Sequence, residues 1–283
     1  MSKVKIFTDS AADLPQEMLA KYDIGVVPLL VSFPDRSYAD GVDLTSDQFY
    51  SLLEQSPQLP VTSQPSPHDF IEAFSPHLEA GRTIVSINLS SALSGTVESA
   101  QIAKNSLEDK AANLYLVDSR AASIGEGILV LLAAELAERG RTAPEIVQAV
   151  ESARQRLVHL FTLDTMENLI KGGRISRAKG TIGNLLNIKP ILCLDDQGAI
   201  DTLDKVRGRK KSLRYLLDRF AEQAKPRPYP FIGVCHADCP DEAQELVAGL
   251  QQLQPDSQVV VGNIGATIGT HTGKGCIAVF YFK

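Results

Sequence analysis

Apolar and polar positions alternate along the first half of the chain in a way that predicts strands and helices in turn. The predicted strands are the short apolar runs at residues 4–8, 24–33, 83–87 and 113–117. Helix start signals, such as an N-capping residue followed by proline or a capping box, occur at or after residues 13, 45, 66, 95, 125 and 142. Strands that alternate with helices favour βαβ units and a mostly parallel sheet.

The second half of the chain shows a different pattern, in which short strands outnumber helices. The predicted strands are residues 157–163, 188–194, 199–206, 231–235, 258–264 and 276–282. The predicted helices lie near residues 210–224 and 241–252. We therefore expect an α/β protein of two domains, with a mostly parallel βαβ sheet in residues 1–156 and a mixed α+β sheet in residues 157–283.

Composition and charge narrow the classes of partner. The chain has 283 residues, of which 44% are hydrophobic and 22% are charged, as in an ordinary globular protein. A net charge of −6 argues against a general nucleic-acid partner, because binding to phosphates needs clustered Lys and Arg. One basic cluster occurs at residues 205–211, and a solvated face or a docking patch explains it better than a nucleic-acid site.

The apolar runs and the four cysteines bear on where the protein works and on whether it binds a metal. The N-terminus enters a strand without the apolar segment of a signal peptide, and the run 128–134 is far shorter than the roughly 20 residues of a membrane span. We therefore expect a cytoplasmic protein. The pattern of the four cysteines indicates neither a disulfide framework nor a zinc site, so no metal and no cofactor is predicted.

The segment 88–100 is rich in hydroxyl groups and follows the predicted strand 83–87. A strand that leads into hydroxyls and free helix N–H groups is suited to bind an oxyanion such as a carboxylate or a phosphate. The segment contains no histidine, cysteine or pair of acids that would activate a nucleophile or move a proton. Ser94 or Thr96 would also serve as the N-cap of the next helix, and both interpretations stay open on this segment alone.

Three other predicted loops carry candidate polar groups. Thr62 lies too early to cap the helix that follows it, which leaves its hydroxyl free for a ligand. The glycine-rich stretch 265–275 fails the phosphate-loop pattern, and its His271 is either a polar site residue or a structural histidine. A double-glycine turn presents Arg174, and a helix C-cap with a solvated arginine is the simpler explanation for it.

An enzyme is the alternative that the residues leave open. Asp9 and Asp118 each end a predicted strand, and with His271 they could hold a metal for a phosphotransferase or hydrolase. Strand-ending Asp-Ser pairs are also ordinary turn chemistry, which is the interpretation that we favour. Because parallel strands end at one edge of a sheet, both Asp-Ser pairs and the segment 88–100 are expected to meet there. The sequence contains neither the serine-hydrolase elbow nor the dinucleotide fingerprint nor His-Glu-x-x-His.

Five short motifs occur in order along the chain. They are Thr8-Asp-Ser10 with Asp13-Leu14, Thr62-Ser-Gln-Pro65, Ser90-Ser91…Leu93-Ser-Gly-Thr96, Gly172-Gly-Arg-Ile-Ser176 and Gly269-Thr-His-Thr-Gly273. Together they resemble the DegV family of bacterial fatty-acid-binding proteins, which includes the acyl-carrier B subunit of the two-component fatty acid kinase. The ordered set spans nearly the whole chain and is far more specific than any single motif.

The resemblance implies two α/β domains with a long-chain fatty acid buried between them. It assigns the carboxyl group of the fatty acid to Thr62, Ser94 and His271, and it places Arg174 and Arg207 on surfaces that engage a separate ATP-dependent kinase subunit. On this interpretation the protein presents the fatty acid without catalysing a reaction, and transient contact with a membrane is compatible with that role. A lipid sensor without a kinase partner is the further alternative.

Overall fold

The computed structural model describes residues 3–175, 187–224, 229 and 231–283. The strands are β1 (Val4–Asp9), β2 (Gly25–Val27), β3 (Leu30–Ser32), β4 (Ser37–Ala39), β5 (Val61–Ser63), β6 (Thr83–Asn88), β7 (Leu114–Asp118), β8 (Leu157–Thr162), β9 (Ile188–Leu194), β10 (Ile200–Arg207), β11 (Phe231–His236), β12 (Gln258–Asn263) and β13 (Ile277–Phe282). The α-helices are α1 (Gln16–Lys21), α2 (Ser46–Gln55), α3 (Pro67–Glu79), α4 (Thr96–Ser106), α5 (Ile124–Glu138), α6 (Ala143–Arg154), α7 (Glu167–Gly172), α8 (Arg209–Gln223), α9 (Pro240–Leu253) and α10 (Ala266–Thr272).

The first sheet contains four parallel strands in the order β2-β1-β6-β7. Helices α3 and α4 cover one face, where Phe70 and Phe74 pack with Ile84 in a buried cluster. Helices α5 and α6 cover the other face. Capping boxes at Thr45 and Ser66 start α2 and α3, as their sequences predict. The parallel order confirms the βαβ arrangement expected for the first half of the chain.

The single strand predicted at residues 24–33 is wrong, because the chain breaks there into two strands of different sheets. Pro28 has no amide hydrogen to donate to a ladder, and the next residue, Leu29, donates its N–H to Oγ of Ser10 at 3.0 Å. The chain then enters β3, which pairs antiparallel with β4 and β5 in a separate three-stranded sheet. Thr62 therefore lies in a strand, β5, and not in the predicted loop.

The second large sheet has six strands in the order β10-β9-β8-β13-β11-β12. β11 and β12 are parallel, and the other neighbouring pairs are antiparallel. Helices α8 and α9 pack on one face through Leu216, Phe220, Leu246 and Leu250. This mixed sheet confirms the architecture expected for the second half. Its first strand in the chain, β8, begins at Leu157, and the domain boundary after residue 156 stays a prediction.

Helix α5 lies between the two large sheets, and its central stretch is apolar on every side. It contacts β1 and β6 of the first sheet and β11 and β12 of the second. Ile128, Leu129, Val130 and Leu131 are successive residues with 0% exposure, as expected for a helix that is hydrophobic all round and therefore buried. Within the described residues, neither α5 nor any other helix is long and apolar enough to cross a membrane.

Candidate functional site

Polar groups gather where β1, β6 and β7 end, at one edge of the parallel sheet. The carboxylate of Asp9 accepts hydrogen bonds from the N–H of Leu89 (2.8 Å) and from Nδ2 of Asn88 (3.2 Å). The carboxylate of Asp118 accepts one from Oγ of Ser91 at 2.6 Å. The expected meeting of the two Asp-Ser pairs with the segment 88–100 is therefore confirmed. These carboxylates hold the loop after β6 in place.

The hydrogen bonds of Asp9 and Asp118 are those of strand-ending turns and not those of a metal site. Asp9 also accepts from the N–H of Ala11, and Asp118 from the N–H of Arg120, which is ordinary turn chemistry. Among residues 3–175, 187–224, 229 and 231–283, no three or more His, Cys, Asp or Glu side chains are grouped to hold a metal. Asp9, Asp118 and His271 are not brought together, so the arrangement that a shared metal would need is not formed.

The hydroxyls of Ser94 and Thr96 are not used to cap α4. Gly95 is the N-cap residue and makes no side-chain capping bond, so the N-cap interpretation of these two hydroxyls is wrong. Oγ of Ser94 lies 2.9 Å from Oγ1 of Thr96. Gly95 also allows the side chain of Gln64 to pack against the turn, since a Cβ there would lie 2.6 Å from Nε2 of Gln64. The segment after β5 is thereby held beside the start of α4.

Thr62, Ser94 and His271 line one cavity, although they come from three distant parts of the sequence. Oγ1 of Thr62 lies 2.8 Å from Nε2 of His271, a contact between residues 209 positions apart. Their assignment to a ligand stays a prediction at this point. What the structure adds is that all three polar side chains border the same space.

His271 belongs to a helix, whereas a glycine-rich loop was predicted at residues 265–275. Helix α10 forms because two buried carboxylates hold its N-terminus. Asp40 accepts hydrogen bonds from the N–H groups of Ala266 (3.0 Å) and Thr267 (3.1 Å), and Asp13 accepts one from Gly265 (2.9 Å). Burial raises the pKa of Asp40, and it raises the pKa of Asp13 well above its usual range. Neither carboxyl group was singled out from the sequence as a part of this site.

The protonation state of His271 follows from its surroundings. Burial, with a smaller contribution from the positive charge of Arg174, lowers the pKa of His271 to about 4, so the imidazole is neutral at pH 7. Its Nδ1 has no hydrogen-bond partner and faces Gly172, where a Cβ would overlap it. A proton on Nδ1 would be a buried, unpaired donor, which favours the tautomer protonated on Nε2. In that tautomer Nε2–H donates to Thr62, and the hydroxyl hydrogen of Thr62 is free to donate to a ligand.

The two arginines predicted as docking residues lie in different places. Arg174 is half-buried and lines the same cavity, with Nη1 donating to the carbonyl of Gly172 (2.7 Å) and Nε to that of Leu93 (3.4 Å). Gly173 is the C-cap residue of α7, with a φ of 70°, which confirms the predicted C-cap, whereas the arginine after it is not the solvated one that was expected. Arg207 is exposed at the end of β10. The docking role of both arginines stays a prediction, and the last residue of the motif, Ser176, lies outside the described residues.

Apart from this polar group, the cavity wall is mainly apolar. The space between the lining residues amounts to about 870 Å³ when its part open to solvent is counted. Both halves of the chain contribute apolar side chains to it, among them Leu29, Leu89, Phe161, Leu169, Ile264 and Phe280. The site therefore combines a neutral hydrogen-bonding group with an apolar interior.

The fold and the site define a class: an α/β protein of two sheet-containing halves, with an apolar cavity lined by residues from both halves and one polar region in the cavity wall. Comparison with known proteins specifies this class further. The model of a family described as uncharacterised, the DegV family, matches residues 3–283. The chain belongs to the DegV family.

Individual relatives resemble the chain over its whole length. A DegV domain-containing protein of Clostridium perfringens is 39% identical over 99% of this chain and 98% of its own. The structure of a DegV family protein from Thermus thermophilus, which binds fatty acid, superimposes with a TM-score of 0.90 at 32% identity and covers 100% of both chains. The B3 protein of Streptococcus pneumoniae fatty acid kinase, loaded with linoleic acid, has a TM-score of 0.85 at 25% identity, over 100% of this chain and 99% of its own.

Proposed function

We propose that this protein binds a long-chain fatty acid, buries the acyl chain in the cavity and presents the carboxylate to a separate kinase subunit. The observation that carries the proposal is the hydrogen-bonded pair Thr62–His271, which lines an apolar cavity together with Ser94. On this proposal the protein supplies no catalytic residue and needs no cofactor, and it works in the cytoplasm.

Burial of the acyl chain supplies most of the affinity. Each methylene group transferred from water contributes about 0.8 kcal/mol, so a dozen contribute roughly 10 kcal/mol before the costs of immobilisation. A polar wall would not provide this transfer free energy, whereas the wall of this cavity is mainly apolar. The carboxyl group therefore decides how the ligand is oriented more than whether it binds.

The carboxylate is held by neutral donors. With Nε2–H of His271 donating to Thr62, the Thr62 hydroxyl donates to one carboxylate oxygen, and the Ser94 hydroxyl donates to the other. A hydrogen bond to a charged group contributes about 1.5–3 kcal/mol, so two donors offset much of the cost of desolvation. The positive charge of Arg174, which lines the same cavity, adds a favourable field.

The relatives support both parts of the proposal. The Thermus thermophilus protein binds fatty acid, and the Streptococcus pneumoniae protein is a B protein of fatty acid kinase. By analogy with the family, Arg174 and Arg207 would contact the kinase subunit. One of the two carboxylate oxygens held by Thr62 and Ser94 would receive the phosphoryl group.

The first test is mass spectrometry of the purified protein under native and denaturing conditions. We expect a co-purified fatty acid at about one molecule per chain. Metal-dependent turnover of a phosphate ester or an ester, with no bound lipid, would instead support the enzyme alternative.

The second test concerns the carboxylate donors. Thr62→Ala and Ser94→Ala should each lower acyl-phosphate formation with a purified kinase subunit and ATP by about 10- to 100-fold, corresponding to one lost charged hydrogen bond. Retention of the fatty acid should fall much less. Ser106→Ala is the matched control, because the exposed Ser106 hydroxyl donates only to the Ile102 carbonyl of its own helix. Normal acyl-phosphate formation by both site variants would refute the assignment of Thr62 and Ser94.

A further inference from the structure

The turn of the β9–β10 hairpin is bonded to the first half of the chain. Oγ of Ser90, in the loop after β6, donates a hydrogen bond to the carbonyl of Gly198 at 2.9 Å. Nη1 of Arg120, in the loop after β7, donates to the carbonyl of Asp196, also at 2.9 Å. Ser90 is buried and does not line the cavity, so this hydroxyl of the segment 88–100 joins the two halves of the chain.

The turn also fits closely against the first half. Gly198 has a φ of 81°, and a Cβ built there would overlap Oγ of Ser90 and lie 2.8 Å from Cα of Arg120. A backbone atom such as Cα of Arg120 cannot move aside as the end of a flexible side chain can. A side chain at residue 198 would therefore push the hairpin away from the first half.

The residues that flank these two contacts form part of the cavity wall. In the hairpin they are the pair at the base of the turn, and in the first half they lie within three residues of Ser90 or Arg120. They are Leu194, Ile200, Leu89, Leu93 and Ala122. Separating the hairpin from the first half would therefore open this side of the cavity.

The turn is held together by its own hydrogen bonds. The N–H of Gly198 donates to the carbonyl of Asp195 at 2.8 Å. The carboxylate of Asp195 accepts from the N–H groups of Gln197 (2.9 Å) and Ala199 (3.0 Å). Because these bonds lie within the turn, it can leave the first half as one unit.

The base of the hairpin has the features of a hinge. In the described part of the chain, β10 lies at the edge of its sheet and pairs with β9 alone. The pairing of β9 with β8 ends at Cys193, so the turn extends past the neighbouring strand. The register between β9 and β10 shifts between Thr202 and Asp204, which makes Leu203 the extra residue of a β-bulge. A bulge interrupts the ladder and bends the strand.

We propose that residues 194–200 form a flap on the cavity, that the flap swings about the bulge at Leu203, and that its hydrogen bonds to Ser90 and Arg120 hold it shut while a fatty acid is bound. This inference rests on the proposed binding of a fatty acid. The flap sets how fast a fatty acid enters and leaves the cavity. While the closed form stays the more populated one, easier opening changes these rates much more than it changes the affinity.

The test is the exchange of a fluorescent long-chain fatty acid, measured by stopped flow in both directions. Release is measured into excess unlabelled fatty acid, and uptake is measured with the delipidated full chain. Ser90→Ala should accelerate both rates by about 3- to 10-fold and Arg120→Met by about 10-fold, since each loses one hydrogen bond of the closed flap. Ser212→Ala is the matched control, because the buried Ser212 hydroxyl donates to the carbonyl of Arg209 at 2.8 Å, away from the flap.

A glycine pair tests the close fit separately. Gly198→Ala should accelerate exchange more than Ser90→Ala does, because the methyl group holds the flap away from the first half. Gly140→Ala carries the same backbone strain, with a φ of 76°, but no atom lies within 4 Å of its Cβ position. Gly140→Ala should therefore exchange fatty acid at the rate of the wild type.

Each outcome decides the inference. Exchange in Ser90→Ala that is no faster than in Ser212→Ala would overturn it, and so would equal rates in the two glycine variants. Faster release with unchanged uptake would also overturn it, because that result indicates a lost ligand contact and not a gate. If Ser90→Ala does not fold, Arg120→Met decides in the same way. Failure of the proposed function looks different, because the wild type itself would then bind no fatty acid.

Discussion

The imidazole of His271 can occupy its position only because residue 172 is a glycine and has no side chain. Gly172 is the last residue of α7, and a Cβ built there would overlap Nδ1 of His271 and lie 3.0 Å from its Cε1. His271 is half-buried and bonded to Thr62, so Gly172→Ala must displace the imidazole and break the Thr62–His271 hydrogen bond. We expect fatty-acid carboxylate binding and presentation to weaken by about 1.5–3 kcal/mol, or about 10- to 100-fold.

Alanine is favoured over glycine in a helix by up to about 1 kcal/mol, which offsets part of the cost of displacing His271, so the unfolding temperature of Gly172→Ala should fall only a little. The neighbouring Gly173→Ala provides the reverse control. Gly173 has a φ of 70°, and no atom lies within 4 Å of the point that a Cβ would occupy. Alanine there is strained by about 1–2 kcal/mol but touches nothing in the site.

The assay combines thermal unfolding with displacement of a fluorescent fatty acid and with acyl-phosphate formation by a kinase subunit. Gly172→Ala should lose presentation with little loss of unfolding temperature, and Gly173→Ala should lose unfolding temperature while keeping presentation. Wild-type presentation by Gly172→Ala would refute the reasoning that His271 must stay in place. A loss of presentation that simply follows a loss of stability in both variants would refute it as well.

Two further predictions concern buried carboxyl groups. Burial and the charge of Asp9 raise the pKa of Glu126 well above 4.5, so folded protein retains a proton that unfolded protein releases. The free energy of unfolding of the wild type therefore falls as pH rises, by up to about 1.4 kcal/mol per pH unit. Glu126→Gln does not titrate there, so its stability relative to the wild type should increase with pH. A difference in unfolding temperature that stays constant above pH 4.5 would contradict this. Asp40→Ala should leave two amide donors of α10 unpaired, which should lower the free energy of unfolding in urea by about 2–4 kcal/mol and weaken fatty-acid retention. The control Asp43→Ala, at an exposed position, should change neither the free energy of unfolding nor the retention. Normal retention in Asp40→Ala would show that α10 holds its position without this contact.

Local patterns were sufficient to predict most of the fold. The all-apolar stretch of α5 and the capping boxes at Thr45 and Ser66 depend on neighbouring residues, and each appears where the sequence predicts it. The misjudged strand at 24–33 shows the limit of such patterns. Its apolar run continues through Pro28, and only the partners of each half reveal that β2 and β3 belong to different sheets.

The site required contacts that no local pattern contains. The stretch 265–275 has the composition of a loop, with four glycines, and it becomes helical because Asp40 accepts two of its amide hydrogens from a position 226 residues earlier.

The absence of a catalytic base from the segment 88–100 fits the electrostatics of the cavity. A buried ion pair would hold a carboxylate firmly and withdraw electron density from the oxygen that must attack a phosphoryl group. On the proposed function, the hydroxyls of Ser94 and Thr62 would each donate to one carboxylate oxygen and leave lone pairs on both. The neutral imidazole of His271 fixes the Thr62 hydroxyl as a donor without adding a charge of its own. On the proposed function, a site built in this way would keep the fatty acid reactive towards the kinase subunit.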